Sequence, residues 1–231
     1  MTLVKEMTEH KVVGLFPVPV IHIKFDRHHK YVFPILEEKD HKPKSWTMPL
    51  NTSFPNITED DDLINLKTRD ELKSDIKKSI DSVFKELNLS TNYFINEFWY
   101  NIYHKNQGQE IHNHLGVVNP YWCGIYYNKN STPTVFIKEG GIHDIHLPAA
   151  DWHDSKLNLF FAKNNTLSVI DGSILLFPPY LKHFVPEQET IDSDNKMRLT
   201  FSFNLFLNLK LDKYKGDINM ALENSPKGFL Y

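Results

Sequence analysis

Cysteine and glycine are both scarce in this sequence of 231 residues, which has one cysteine, Cys123, and nine glycines. A single thiol excludes a disulfide scaffold and a zinc cluster built from thiolates. So few glycines also argue against flexible tethers between domains. No stretch reaches the roughly 18 consecutive apolar residues of a membrane span, and the first residues lack the apolar core of a secretory signal. We therefore expect a soluble cytoplasmic protein without a membrane partner.

The chain also has no large excess of positive or negative charge, since its formal net charge is −3. A dedicated nucleic-acid binder would show a basic domain, so we expect no nucleic-acid partner. Hydrophobic residues make up 41% of the chain and aromatic residues 13%, which excludes a disordered protein and supports a substantial core. We expect a single domain over residues 1–231, with a helical or irregular part (1–92), a β core (93–209) and a tail (210–231).

Arginine is rare, whereas histidine is abundant. Of the 26 lysines and arginines only Arg27, Arg69 and Arg198 are arginines, and the chain has 12 histidines. Lysine usually serves on a protein surface, so each arginine position is a candidate for a specific role.

Apolar periodicity predicts one helix in the N-terminal part. The apolar residues of segment 69–89 recur at spacings of four, four, three and four, which is the pattern of a helix with one buried face. Those residues are Leu72, Ile76, Ile80, Val83 and Leu87.

Short strands separated by turn residues are predicted for the rest. Residues 12–25 are apolar with interrupting prolines, which favours an edge strand or two short strands. Many short strands with turn signals between them indicate an antiparallel sandwich or barrel. In the β core the predicted strands are residues 93–104, 122–128, 134–138, 167–170, 173–177 and 198–207.

The first candidate site is the pair His112 and His114. In a strand, residues i and i+2 point to the same face, so two imidazoles could grip one metal ion. Imidazole suits iron, zinc, copper and nickel. A polar loop with two exposed histidines is the alternative interpretation, because such pairs arise by chance in a histidine-rich chain.

The second candidate is His183, which follows an apolar strand and a diproline turn. The turn would bring its side chain back over the end of the strand. Taken alone, a structural or surface histidine is the simpler interpretation. His143, His146 and His153, in the loop 139–156, are competing ligands.

The third candidate is the strand that begins at Arg198. Over residues 198–205 the even positions are polar, the odd positions are apolar, and the alternation is complete. An exposed polar face in this protein would show lysine and glutamate, and this face has neither. The pattern therefore indicates the lining of a polar cavity, in which the arginine could clamp a carboxylate. The polar residues are Arg198, Thr200, Ser202 and Asn204.

The order of these motifs resembles the iron(II)- and 2-oxoglutarate-dependent oxygenase superfamily. That superfamily carries His-x-Asp/Glu, a distal His and an Arg-x-Ser about one strand later. More narrowly, the chain is similar over about residues 14–205 to a group of bacterial and phage oxygenases. The shared pieces are Leu-Phe-Pro-x-Pro (15–19), an aromatic strand (99–102), Gly-x-Tyr-Tyr (124–127), Leu-Phe-Pro with a later histidine and proline (176–186), and Arg-x-Thr-x-Ser-Phe-Asn (198–204).

The resemblance implies a mainly β fold, a double-stranded β-helix (a cupin-like jelly roll) with helices packed outside. It also implies a dioxygenase that uses Fe(II) and 2-oxoglutarate and releases succinate and carbon dioxide while it hydroxylates a substrate. His112 takes the place of the first iron ligand and His183 that of the distal one. Arg198, assisted by Thr200, takes the place of the residue that pairs with the far carboxylate of 2-oxoglutarate, and Tyr103 stands where many relatives have a tyrosine near the co-substrate.

Residue 114 departs from the family pattern, which has a carboxylate where this chain has histidine. His114 could be the third ligand, a carboxylate such as Asp144 or Asp151 could complete the set, or the site could be catalytically altered. We favour His112, His114 and His183 as the ligand set.

Two other functions compete with this interpretation. Cupin-type metal proteins also use His-x-His and a later histidine, but they usually place a glutamate soon after the pair and have no need of a buried arginine. A non-catalytic β-sandwich binding module would need neither metal nor 2-oxoglutarate. Substrate identity and oligomeric state stay open. The aromatic residues Trp99, Tyr121, Trp122 and Tyr126 could line a substrate pocket, although aromatics on strands more often belong to the core.

Overall fold

A computed structural model describes residues 6–7, 10–11, 18–116, 118–129, 132–137, 164–189 and 197–208. Some predicted features lie outside these residues. They are the start of the opening motif, Asp144, Asp151, the competing histidines of segment 139–156 and the tail from residue 210.

Antiparallel strands dominate the described part of the chain. Before the helix come β1 (Glu6–Met7), β2 (His10–Lys11), β3 (Ile21–Lys24), a 3-10 turn (His28–Lys30) and β4 (Asn51–Thr52). The helix α1 is Leu66–Glu86, and it is followed by β5 (Tyr93–Tyr103), β6 (Gln109–His112), β7 (Trp122–Lys129) and β8 (Val135–Ile137). The last strands are β9 (Asn164–Thr166), β10 (Ser173–Phe177), β11 (His183–Val185) and β12 (Arg198–Leu207).

Two sheets build the domain. The larger has the order β3-β10-β7-β12-β5-β4, the smaller β6-β11-β8-β9, and β1 pairs only with β2. Strand β12 is central, since it pairs with β5 along its whole length and with β7 on its other side. The mainly β jelly-roll architecture with a helix packed outside is confirmed.

Helix α1 begins at an Asn65 cap, whose side chain accepts a hydrogen bond of 2.9 Å from the Thr68 N–H. The predicted helix is therefore correct in kind but starts three residues earlier and ends at Glu86. The buried stripe also differs at its end, because Phe84 is fully buried whereas Leu87 is 49% exposed.

Each face of the larger sheet packs on its own apolar cluster. One face packs with α1 in a large core, in which Phe201 and Phe203 of β12 belong to the same cluster as Ile76 and Ile80 of the helix. On the opposite face, Tyr127 of β7 and Phe177 of β10 cluster with Phe136 of the smaller sheet. The odd, apolar residues of β12 thus belong to the core, as predicted, and the polar even ones face the pocket beside the smaller sheet.

One predicted strand is wrong. Residues 167–170 are not a strand, and the nearest strand is β9, Asn164–Thr166. Ile170 is 68% exposed and begins a turn to Ser173. In this turn the Ile170 carbonyl accepts a hydrogen bond from the Ser173 N–H, and the Ile170 N–H donates one to the Ser173 hydroxyl. The apolar residues of this segment resemble a strand pattern, but the main-chain N–H and carbonyl groups of Ile170 form hydrogen bonds within the turn and not with a neighbouring strand. The strands predicted at 173–177 and 198–207 have these bounds in the structure.

Candidate metal centre

Three histidines meet at the edge of the smaller sheet. His112, the last residue of β6, lies opposite His183, the first residue of β11, in the antiparallel register. Their ring centroids are 4.2 Å apart, and the His114 ring lies 5.2 Å from His183 and 5.5 Å from His112. One nitrogen of each ring lies within 4.8 Å of the others, which is close enough for a single ion.

His114 reaches this cluster by a different route from the one expected. Strand β6 ends at His112, so the rule that alternate strand residues share a face does not apply to His114. Instead the His114 N–H donates to the Pro179 carbonyl at 2.9 Å, which ties the loop after β6 to the diproline turn before β11. The reasoning from strand geometry is wrong for this residue, although the side chain does join the other two.

Each of the three rings uses its Nδ1 in a hydrogen bond to an oxygen. His112 Nδ1 lies 2.8 Å from the Glu110 carbonyl oxygen, and His183 Nδ1 lies 2.9 Å from the Leu181 carbonyl oxygen. His114 Nδ1 lies 2.8 Å from Oδ1 of Asn204. An amide oxygen only accepts, so each Nδ1 carries the proton and donates it. Each Nε2 is then left with its lone pair, which is the form in which histidine binds metals.

Burial keeps the three imidazoles neutral. His183 is 3% exposed, and desolvation lowers its pKa well below the usual value, with a further lowering from the other two rings. Burial, followed by the charge of His112, lowers the pKa of His114 to about 4. The pKa of His112 is also lowered, mainly by burial. At neutral pH all three are therefore ready to bind a cation without first losing a proton.

Arg198 lies in the same pocket, buried between two tyrosines. It is 1% exposed, and its guanidinium carbon lies 4.8 Å from the centre of the Tyr103 ring and 5.6 Å from that of Tyr127. Its Nη2 donates to the Thr132 carbonyl at 3.2 Å, whereas Nε and Nη1 have no hydrogen-bond partner among the described residues. A buried cation with unsatisfied donors is costly, so this arrangement fits an anionic ligand that would complete it.

Tyr103 and Thr200, the other predicted co-substrate residues, line the same pocket and are buried. The Tyr103 hydroxyl donates to Oε1 of Gln109 at 3.1 Å. Burial raises the pKa of Tyr103 to about 12, although the charge of Arg198 acts in the opposite direction, so the hydroxyl keeps its proton. The pocket thus joins the three histidines to Arg198 between the two sheets. Its lining comprises Trp99, Tyr103, Gln109, His112, His114, Ile125, Thr134, His183, Val185, Arg198, Thr200 and Ser202.

Sequence reasoning missed some pocket residues and placed others only in part. Gln109 was not predicted as a pocket residue. The only sequence feature that could have indicated it is its position three residues before His112, on the short strand β6. Of the four aromatics considered, Trp99 lines the pocket, and its buried Nε1 has no hydrogen-bond partner among the described residues. Tyr121, Trp122 and Tyr126 belong to the core beside α1 or pack against it.

Residues 97–204 match the family model described as "Putative 2OG-Fe(II) oxygenase". The matched segment contains the three histidines, Arg198, Thr200 and Tyr103. The match over this segment supports the superfamily that the motifs indicated, and the family's description names Fe(II) and 2OG. No curated protein matches the sequence significantly. None of the helices in the described ranges has the length and hydropathy to cross a bilayer.

Solved oxygenase structures are similar to this chain at low sequence identity, and the first of those below shares its fold. HygX from Streptomyces hygroscopicus, with nickel and 2-oxoglutarate bound, is 12% identical, with a TM-score of 0.50 over 83% of this chain and 84% of that chain. A 2OG-Fe(II) oxygenase family oxidoreductase from Burkholderia pseudomallei is 12% identical, with a TM-score of 0.46 over 74% and 73%. A prolyl-4-hydroxylase from Pseudomonas putida is 9% identical, with a TM-score of 0.42 over 74% and 78%.

Proposed function

We propose, on the premise that residues 97–204 match the 2OG-Fe(II) oxygenase family model, that this chain is a dioxygenase that hydroxylates an organic substrate while 2-oxoglutarate is converted to succinate and carbon dioxide. The ligand set of the proposed iron site is His112, His114 and His183. The proposed co-substrate residues are Arg198, Thr200 and Tyr103.

A single observation carries the proposal: three neutral histidines and one incompletely paired arginine line the same buried pocket. All three Nδ1 atoms are engaged, so the atoms left to bind a cation are the Nε2 atoms. Arg198 supplies the buried positive charge that a dicarboxylate needs. A metal-binding cupin would have no use for the arginine, and a binding module would have no use for the histidines.

The donor set fits iron(II). Imidazole is a good ligand for iron, and three ligands on one side of the ion leave positions open for 2-oxoglutarate and oxygen. Three neutral imidazoles leave the full 2+ charge on the ion, whereas the usual carboxylate would reduce it by one. This difference is expected to change the metal preference and the redox potential of the site relative to the usual pattern.

The bound iron, 2-oxoglutarate and oxygen supply the oxidising chemistry, and the protein supplies orientation. Arg198 would hold the far carboxylate of 2-oxoglutarate through two adjacent N–H groups of its guanidinium, which can give two parallel hydrogen bonds. Its Nε and Nη1, which have no partner among the described residues, leave the guanidinium free to do so. The Tyr103 and Tyr127 rings keep water from the guanidinium. The Thr200 hydroxyl, two residues along the same face of β12, would donate to the same ligand.

Thermal denaturation in the presence of 2-oxoglutarate tests the proposal. A ligand that binds only the folded protein must raise the midpoint of unfolding, so 2-oxoglutarate should stabilise the Mn(II)-loaded wild type. Arg198→Lys keeps the charge but loses the planar fork, so it should reduce the shift. Arg198→Ala should abolish it while the metal content is unchanged.

Arg69→Lys is the matched control, because Arg69 lies on α1 and its guanidinium binds Asp70 and the Ile57 carbonyl. This variant should respond to 2-oxoglutarate as the wild type does. No shift at millimolar 2-oxoglutarate in the metal-loaded wild type, or a full response in Arg198→Ala, would rule out the co-substrate assignment.

A further inference from the structure

His114 differs from the other two histidines in what holds its Nδ1. His112 and His183 each donate to a main-chain carbonyl two residues earlier, and a carbonyl oxygen can only accept. The partner of His114 is the side chain of Asn204. A carboxamide has an accepting oxygen at one end and a donating NH₂ group at the other. By itself, Asn204 could therefore stabilise either tautomer of His114.

Glu97 removes this ambiguity. In the register of β5 and β12 it lies directly opposite Asn204, and its Oε2 accepts a hydrogen bond from Asn204 Nδ2. A carboxylate offers only acceptors, so it holds the NH₂ end of the amide on its own side. The amide oxygen must then face His114, where it accepts the Nδ1 proton and leaves the Nε2 lone pair free.

The pair is built into the fold and is not a surface contact. Asn204 is 5% exposed and lies where the β5–β12 pairing shifts register, between Asn204 and Leu205. Its even-numbered strand position points its side chain to the same side as Arg198. Glu97 is half-buried and reaches Asn204 from the neighbouring strand. Two strands of the larger sheet thus orient a ligand that comes from the loop after β6.

We propose that Glu97, acting through Asn204, is a positioning residue that fixes His114 in the tautomer able to bind metal. This inference rests on the proposed function in so far as His114 is a ligand. The family pattern has a carboxylate at position 114. In this chain the carboxylate of Glu97 would act on the His114 imidazole indirectly, through the amide of Asn204. Such outer partners orient a metal-bound histidine and raise its basicity, and their loss typically weakens metal affinity 10- to 100-fold.

The tautomers can be measured without any metal, by long-range ¹H–¹⁵N correlation spectra of the imidazole rings in the apo protein. In the wild type His114 should carry its proton on Nδ1. In Glu97→Gln the new amide can donate or accept, so Asn204 is no longer held in one orientation and both tautomers should appear. Asn204→Leu removes the acceptor altogether, and its Co(II) affinity should fall about 10- to 100-fold.

The double variant Glu97→Gln/Asn204→Asp provides the sharpest test. There the glutamine NH₂ donates to the new aspartate, which can still accept the Nδ1 proton of His114. The wild-type tautomer and Co(II) affinity should therefore return towards their original values. A role in packing alone gives no reason for such a rescue. The tautomers of His112 and His183 should be unchanged in all variants.

Asn128→Leu is the matched control, because Asn128 is a buried amide on β7 that binds the Tyr31 carbonyl and the Tyr126 hydroxyl. Its His114 tautomer and Co(II) affinity should equal those of the wild type. A single Nδ1–H tautomer in both Glu97→Gln and Asn204→Leu would overturn the inference, as would a double variant no better than Glu97→Gln. If the tautomers respond as described but the wild type binds no Co(II), the positioning stands and the proposed metal function fails.

Discussion

His114 is the residue at which this chain departs from the oxygenase pattern. The family usually has a carboxylate here, and this chain has an imidazole whose Nδ1 lies within hydrogen-bond distance of Asn204 Oδ1. Its ring stacks with those of His183 and Trp99, at centroid distances of 5.2 Å and 6.1 Å. The site therefore has three imidazoles and, among the described residues, no acidic side chain within the cluster.

Replacement of His114 tests whether it binds the metal. His114→Ala should weaken Co(II) binding about as much as His112→Ala does, because each removes one of three ligands. His114→Asp should keep the metal, since it restores the usual family ligand. Isothermal titration with Co(II) measures both.

His28→Ala is the control for these variants. His28 binds the Tyr126 hydroxyl through Nδ1 at 2.7 Å and is not part of the cluster, so its loss should leave Co(II) affinity unchanged. Normal Co(II) binding by His114→Ala would exclude the all-histidine site and direct attention to Asp144 and Asp151.

Several site residues could be predicted one by one, but their supports could not. Arg198 was recognisable because polar residues alternate with apolar ones on a strand that carries no lysine. His112 and His183 were recognisable from their order in the chain. The Nδ1 partner of His114 could not be predicted, since Asn204 is 90 residues away in sequence and only the sheet register brings it close.

At the scale of elements, a cluster of hydrogen bonds and ion pairs around Asp75 links α1 to the segment after β3. Asp75, 7% exposed on the inner side of the helix, accepts from the Arg27 guanidinium, from the Tyr31 hydroxyl at 3.0 Å and from Lys78 at 3.1 Å. Burial by itself would raise the pKa of Asp75. The hydrogen bonds from Lys78 and Tyr31 and the charge of Arg27 outweigh this effect and lower the pKa below its usual value of 3.8.

Asp75→Asn should lower the free energy of unfolding by about 1–3 kcal/mol, because the buried Tyr31 hydroxyl, together with Arg27 and Lys78, loses its charged acceptor. A carboxyl with a lowered pKa contributes stability above its unfolded pKa, and this contribution is lost as the pH falls through the folded value. The difference between wild type and variant should therefore be full at pH 7 and shrink below about pH 4. Urea denaturation at several pH values measures it.

Asp70→Asn on the same helix is the control, because Asp70 is exposed and binds only Arg69 among the described residues. It should change the stability by less than about 0.5 kcal/mol at any pH. An Asp75→Asn effect that is equally small at pH 7 would show that the cluster does not fasten the helix.

The contact between β7 and β12 depends on a glycine. Gly124 lies opposite Phe203, and a Cβ atom at residue 124 would come within 2.2 Å of the fully buried Phe203 ring. Gly124→Ala should therefore destabilise the protein by about 1–3 kcal/mol through overpacking. Gly116→Ala is the control, since a Cβ there meets no atom within 4 Å. Equal urea midpoints for the two variants would contradict this account of the sheet.

The elements that were predicted well carry a clear local signal. The helix repeats its apolar residues at helical spacing, residues 198–205 alternate polar and apolar side chains, and strand 173–177 is an apolar run that is buried throughout. The short strands β6 and β11 were not predicted as strands. They have three or four residues each, so their pairing depends on each other and on a turn, and a periodic signal has no room to develop.

At the scale of the whole molecule, the site depends on the packing of one sheet on the other. The smaller sheet supplies His112 and His183, while β12 of the larger sheet supplies Arg198 and supports His114 through Asn204. The sequence indicated a jelly roll through its family resemblance. The strand order could not be read from it, because β12 pairs with β5 and β7, which are far away in the chain. A single domain over residues 1–231 stays a prediction.

An anaerobic crystal structure with Fe(II) and 2-oxoglutarate, phased at the iron absorption edge, tests the central claim most directly. We predict one iron peak per chain, bonded to the Nε2 atoms of His112, His114 and His183, with 2-oxoglutarate extending from the iron to the Arg198 guanidinium. An iron peak bonded to a carboxylate side chain in place of His114, or 2-oxoglutarate bound away from Arg198, would contradict the account. The absence of iron from the three histidines at full Fe(II) loading would refute it.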